Sequence, residues 1–181
     1  MGVVERWFGD GFAQLHPEIQ RLHRHGGTLS GVVRVRHGRG IAGWLGARIA
    51  RRLGIGPHTG DVALHVAIRS DDAVLHWDRR FGAGGWMRSE FHPVGAWPDG
   101  YWIEKTGAIA LALMVDTDAG GWRWRPLRGW IHGLRVPMLL LPRVIAYKAI
   151  SDGQYVFHVS LSLPLIGVLL AYEGRLQPQI S

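Results

Sequence analysis

From Asp61 to Phe81 apolar and polar side chains alternate with a period of two, which predicts a β-hairpin with one apolar face. Val62, Leu64, Val66 and Ile68 share one side of the first strand. A two-residue turn at Asp71-Asp72 then sets Leu75, Trp77, Arg79 and Phe81 opposite them. Arg79 is the one charged residue on that face, and a buried guanidinium needs a partner.

The same patterning divides the rest of the chain. Leu15-His16-Pro17 followed by Ile19 and Leu22 predicts a short amphipathic helix that ends at Gly26-Gly27. Thr28 to Arg36 sets Leu29, Val33 and Val35 against Val32, Arg34 and Arg36, a strand with one wetted face. From Ile41 to Leu53 the spacing changes to Ile41, Leu45, Ile49 and Leu53, which predicts a helix with Arg48, Arg51 and Arg52 at other positions. Ile109, Leu111, Leu113 and Val115 share a strand face, with the small Ala108, Ala110 and Ala112 on the other. Val159 to Tyr172 reads as a buried strand pair, being too short for the roughly 20 residues of a spanning helix. The apolar run Gly133 to Pro142 reads as core, with a lid or a membrane-touching loop as the alternatives.

Turn signals at Ser70-Asp71-Asp72, Gly82 to Gly85, Pro98-Asp99-Gly100, Lys105-Thr106-Gly107, Asp116 to Gly121 and Ser151-Asp152-Gly153 separate runs of strand length. This spacing argues against parallel crossovers. The expected fold is mainly β (α+β): a curved antiparallel meander or barrel-like sheet of about nine strands with one or two helices. With 181 residues, 47% of them hydrophobic, the chain suits a single domain over residues 1–181.

Composition narrows the chemistry. The absence of cysteine removes disulfides, thiolate metal sites and cysteine nucleophiles. The start Met1 to Trp7 lacks the basic cluster and apolar run of a secretory signal, so a cytoplasmic location is expected. A net charge of +7, carried by dispersed arginines, favours anionic partners or simply a solvated basic surface. Neither a phosphate-cradling glycine loop nor a nucleophile elbow is present, so no cofactor and no catalytic motif is assigned. His23-x-His25 lacks the further ligands that a zinc or iron site needs, and no metal site is assigned. Trp122-Arg123-Trp124-Arg125 would stack bases or settle at a lipid surface if that strand were exposed, but strand indoles are more often core or cavity wall, so nucleic acid is not the expected partner.

The remaining candidate is Arg79 with the later-strand residues Ser89 and Glu104. Arg79 and Glu104 would either cancel as a structural pair or orient the polar end of a ligand in an apolar pocket, with Trp77, Phe81, Ser89 and Trp102 lining it. The leading expectation is a hydrophobic or amphipathic small molecule bound in the concavity of the sheet. The alternatives are an enzyme using the same cavity, with Glu104 as acid or base and Arg79 stabilising an anion, and a basic surface module for acidic lipid or nucleic acid.

Leu15-His16-Pro17, Trp77-Asp78-Arg79-Arg80-Phe81 with Ser89 and Glu104, Gly133 to Pro137, and Ser162 to Gly167 leading to Tyr172-Glu173-Gly174 together resemble a bacterial family known only as domain of unknown function 4166. The resemblance spans nearly the whole chain. It implies an accessory binding role, because the family resembles one fused behind oxidoreductase-type nucleotide-binding domains or found beside small membrane proteins. An oxidoreductase-type partner domain and a peripheral membrane contact are therefore further expectations.

Overall fold

The computed structural model describes residues 1–56 and 59–180. Among these residues there are three α-helices: α1 (Val3–Phe8), α2 (Pro17–His25) and α3 (Gly40–Arg52). The strands are β1 (Gly27–His37), β2 (Gly60–Ser70), β3 (Leu75–Phe81), β4 (Trp86–Val94), β5 (Tyr101–Thr106), β6 (Ile109–Asp116), β7 (Trp122–Ile131), β8 (Leu134–Val136), β9 (Arg143–Ser151), β10 (Gln154–Leu163) and β11 (Gly167–Ile180). They pair in the order β6-β5-β4-β3-β2-β1-β11-β10-β9-β7-β8, and a further β6–β7 pairing closes the sheet. The result is an antiparallel barrel of ten strands, with β8 folded back on β7 outside the ring. The expected barrel-like meander is thus present, with ten barrel strands rather than about nine.

Closure follows from how β7 divides its pairing. One edge meets β6 along its length, while the other meets β9 at Trp122–Trp124 and β8 at Gly129–Ile131. Closing the ring leaves no long free edge, which a sheet of this length otherwise exposes to other chains. Inner faces are mainly apolar. The outer faces carry Arg34, Arg36, Asp61, Arg80, Glu173 and Arg175, the reverse of a barrel whose apolar band meets lipid. Among the described residues, no helix is long and apolar enough to cross a membrane.

The two ends of the barrel differ. Helices α1 and α2 and the turn Gly9–Gln14 close one end, burying Trp7, Phe8, Phe12, Ile19 and Leu22 against Trp102 and Trp122. Pro17 starts α2 where no N–H is required of it, and the His16 ring accepts from the Glu18 N–H at 3.2 Å. At the other end α3 lies along β11. Here Ala42, Gly46 and Ala50 are the buried positions, Ile49 and Leu53 of the expected stripe pack partly buried against the core, and Ile41 and Trp44 face outward. Small residues let the helix approach the strand so closely that a Cβ at Gly46 would meet the Leu169 carbonyl.

Three other expectations change. The β2–β3 connection has four residues, Asp71 to Val74, because the Asp71 carboxylate accepts from the Ala73 and Val74 N–H groups at 2.7 Å each. The expected facing register survives, with Leu64 opposite Phe81, Val66 opposite Arg79 and Ile68 opposite Trp77. The β10–β11 hairpin is not buried throughout, since Leu165, Ile166 and Val168 are exposed at its tip. Gly133 to Pro142 is not core either: Leu134, Met138, Leu139 and Leu140 are exposed, while Leu141 turns inward.

Candidate functional site

A cavity of about 380 Å3 lies inside the barrel, within the roughly 300–1,000 Å3 usual for small-molecule sites. Its wall includes Leu64, Val66, Phe157, Val159 and Leu161, all placed inward by the period-two alternation of β2 and β10. It reaches solvent at the end away from α1 and α2, where its wall includes Ile109 and Ile131, 38% and 40% exposed. Ile49, Arg52 and Leu53 flank that mouth from α3 and the residue after it.

Arg79 projects inward halfway along β3. Its Nη2 donates to Ser89 Oγ at 2.7 Å and to Glu104 Oε1 at 3.2 Å. Ser89 Oγ lies 2.6 Å from Thr106 Oγ1, and Thr106 donates to Glu104 Oε1 at 3.4 Å. Since the Thr106 proton goes to the carboxylate, Ser89 donates to Thr106, which closes a four-residue relay across β3, β4 and β5. Burial alone would lower the Arg79 pKa, but Tyr172 and Glu104 outweigh it and hold the guanidinium above its ordinary value. The relay therefore places one permanent positive charge in an apolar barrel, matched by Glu104.

Deeper still, Lys148 enters from β9 between indole rings. Its Nζ lies 4.0 Å from the centre of the Trp77 ring, 3.9 Å from that of Trp122 and 3.1 Å from His23 Nε2. Burial, and then the Arg79 charge, push the Lys148 pKa well below that of an ordinary lysine. His23 is likewise lowered, by burial and then by Lys148. Burial raises the phenols of Tyr155 and Tyr172, while Arg79 pulls both the other way.

Around this floor donors outnumber acceptors. In the cavity wall, Arg79 Nε and the Trp77 indole N–H are buried with no hydrogen-bond partner among the described residues, while the indole N–H groups of Trp102 and Trp122 share that condition behind the wall, toward the closed end. The Tyr155 hydroxyl and His23 Nδ1 share that condition. Buried polar groups are normally satisfied by protein, water or a ligand, so those in the cavity wall are the ones a bound molecule could meet.

Of the residues singled out from the sequence, Trp77, Arg79 and Glu104 are in the cavity wall. Ser89 is fully buried and bonds Arg79 from β4. Phe81 packs edge-on against Tyr172, with ring centres 5.3 Å apart, and Trp102 packs against Trp7 at 5.2 Å in the closed end. His23 and His25 do not converge: His23 points into the core while His25 is exposed. Trp122 and Trp124 pack inside the barrel, so the alternation leaves Arg123 and Arg125, not the indoles, for the outer face.

Sequence reasoning passed over Lys148 and weighed His23 only as a metal ligand, although each carried a signal of burial. Lys148 occupies the apolar parity of Val144, Ala146 and Ile150, and His23 lies four positions beyond Ile19 on the buried face of α2.

The family described as Domain of unknown function (DUF4166) matches residues 15–176, which takes in all of the barrel strands except the last residues of β11. No curated protein matches the chain.

Proposed function

The chain belongs to the DUF4166 family, and because that membership carries no activity with it, we propose from the cavity itself that the protein binds a small amphipathic molecule. The apolar part lies among Leu64, Val66, Phe157, Val159 and Leu161. The polar part bears hydrogen-bond acceptors, a carboxylate being the simplest, and faces the Arg79 and Lys148 region. One observation carries this reading: an apolar cavity leads from an exposed rim to a charged stretch whose wall holds the unpartnered Arg79 Nε, Trp77 indole N–H and Tyr155 hydroxyl. An acceptor-bearing head group supplies what the floor lacks, and an apolar tail matches the wall.

Arg79 and Glu104 contribute differently under this reading. Their ion pair costs desolvation that attraction alone does not always repay, so the relay through Ser89 and Thr106 keeps the guanidinium rigid and correctly turned. Preorganised donors lose little freedom when a ligand arrives.

Native mass spectrometry of protein purified from an expressing host, followed by denaturing extraction, tests the proposal. The expected result is a retained acidic amphiphile. A clean mass of the protein alone, together with no uptake of a fluorescent long-chain carboxylate, sinks it. Conversion of an extracted molecule on incubation, with turnover lost in Glu104→Gln while the molecule still binds, would assign the same cavity to an enzyme.

A further inference from the structure

Apart from Met1 and Val32, the most exposed large apolar side chains are gathered at one end of the barrel. Ile41 and Trp44 of α3, Leu134 of β8, Leu139 and Leu140 after β8, and Leu165 at the β10–β11 tip all project into solvent. They come from segments far apart in sequence. The antiparallel pairing of Arg143 with Ser162 brings the 138–140 turn beside the β10–β11 tip. The Gly38 N–H donates to the Leu169 carbonyl at 3.1 Å, which ties the start of α3 to the same end of β11. This is the end at which the cavity opens.

Charge is segregated along the same axis. Residues 38–56, 82–89, 105–112, 126–146 and 160–170, which supply the mouth, contain none of the fourteen carboxylates of the chain. The outer-face carboxylates nearest to it, Asp61 and Glu173, are paired with Arg34 and Arg36. Arg39, Arg48, Arg51, Arg52, Arg135 and Arg143 are exposed there and make no ion pair among the described residues. Glu5, Asp10, Glu18, Asp72, Asp99 and Asp152 lie at the closed end. Four of these carboxylates, Glu5, Glu18, Asp72 and Asp152, are paired with Arg24, Arg21, Arg6 and Arg175, so the unpaired positive charge lies at the mouth together with the apolar tips.

We propose that this mouth face docks on an anionic lipid bilayer, with the leucine and tryptophan tips in the headgroup and acyl boundary and the arginines against the lipid phosphates. Apolar tips ringed by unpaired cations match the two attractions that hold peripheral proteins to acidic membranes. A second copy of the chain fits less well, since mouth-to-mouth contact opposes two positive ends. Docking would place the cavity opening at the level of the acyl chains, and it does not depend on the cavity holding a ligand. Failure here and failure of the binding reading are thus separately readable.

The test is co-sedimentation of the full chain with vesicles of phosphatidylcholine alone and of phosphatidylcholine with about one-third phosphatidylserine. Two variants accompany it: Leu139→Ser/Leu140→Ser/Leu165→Ser, at exposed turn positions, and Arg39→Glu/Arg143→Glu. Circular dichroism and uptake of the fluorescent carboxylate report the fold and the cavity of each.

Wild type is expected to sediment with the acidic vesicles, to be released as salt is raised, and to show at least about tenfold weaker partitioning in either variant. No sedimentation with acidic vesicles at low salt overturns the proposal, as does equal partitioning of wild type and both folded variants. Concentration-dependent self-association that the leucine substitutions abolish would give the face to a second copy and overturn it equally.

Discussion

A lysine nitrogen set between two indole faces is pulled in opposite directions. Each ring favours the ammonium, by up to about 2 kcal/mol where water is excluded, while burial and the Arg79 charge favour the neutral amine and prevail. His23 sits beside it and is held below its ordinary pKa by burial and by Lys148. The sign of the resulting pH dependence is fixed. Between the depressed folded value and the ordinary 6.5, the unfolded chain binds the His23 proton and the folded chain does not, so stability falls as pH drops through that window. Urea midpoints should decrease from about pH 7.5 toward about 5.5, and the slope should flatten in His23→Leu; equal slopes would remove His23 as the cause. Arg79 and Glu104 make a second case. Their side chains are 14% and 19% exposed, so cutting either partner should cost less than a fully buried break, about 2–3 kcal/mol. In a cycle of Arg79→Met, Glu104→Gln and the double variant, read by urea denaturation, the double should cost clearly less than the sum. Simple additivity would mean that the pair is not coupled. Arg79 was legible in the sequence because it is a lone cation at an apolar parity in a hairpin with clear turns. Lys148 carried the same mark, but its strand follows a run of leucines and prolines with no alternation of its own to set the phase.

Helix α3 shows where hydropathy misleads. The Ile41-Leu45-Ile49-Leu53 spacing located the helix, yet the buried stripe is Ala42-Gly46-Ala50, because what decides the face is how near the backbone of β11 must come. A glycine with the strand carbonyl directly over it has no room for a side chain. Gly46→Ala should therefore destabilise the protein by about 1–3 kcal/mol through displacement of α3 from β11. Ile41→Ser, on the outward face, should stay within about 0.5 kcal/mol of wild type. Chemical denaturation of both variants checks the assignment, and the reverse order would restore the isoleucine and leucine stripe as the packing face. The same logic separates what was readable in the strands from what was not. Turn chemistry at Gly82 to Gly85, Lys105 to Gly107 and Ser151 to Gly153 marked the hairpins, since glycine and aspartate act locally. The segment after β8 was misread because apolar content does not distinguish a core segment from an apolar rim. Met138, Leu139 and Leu140 form a single exposed turn. Only the pairing of Arg143 with Ser162, a contact between distant segments, places that turn at the mouth.

Closure of the ten-stranded ring gives the molecule an inside, and with it a linkage between ligand charge and protonation. The β1–β11 and β7–β9 pairings in that ring join strands whose adjacency no local pattern announces, which is why the meander was readable and the opening of the cavity was not. Inside, Glu104 balances Arg79, while Lys148 is held toward its neutral form partly by that same Arg79 charge. An anionic head group placed near both cations offsets the repulsion that Lys148 experiences and favours its ammonium. In the pH range where Lys148 titrates, binding of a long-chain carboxylate should therefore take up protons, and affinity should weaken as pH rises. Calorimetric titration in two buffers of different ionisation enthalpy reads the uptake directly, because the apparent binding enthalpy then changes with the buffer. Lys148→Met should abolish the buffer dependence while leaving the apolar wall intact. A binding enthalpy independent of buffer in the wild-type protein would mean that the head group does not reach the Lys148 region, and would place it instead near Arg52 at the mouth, a further cation in the cavity wall.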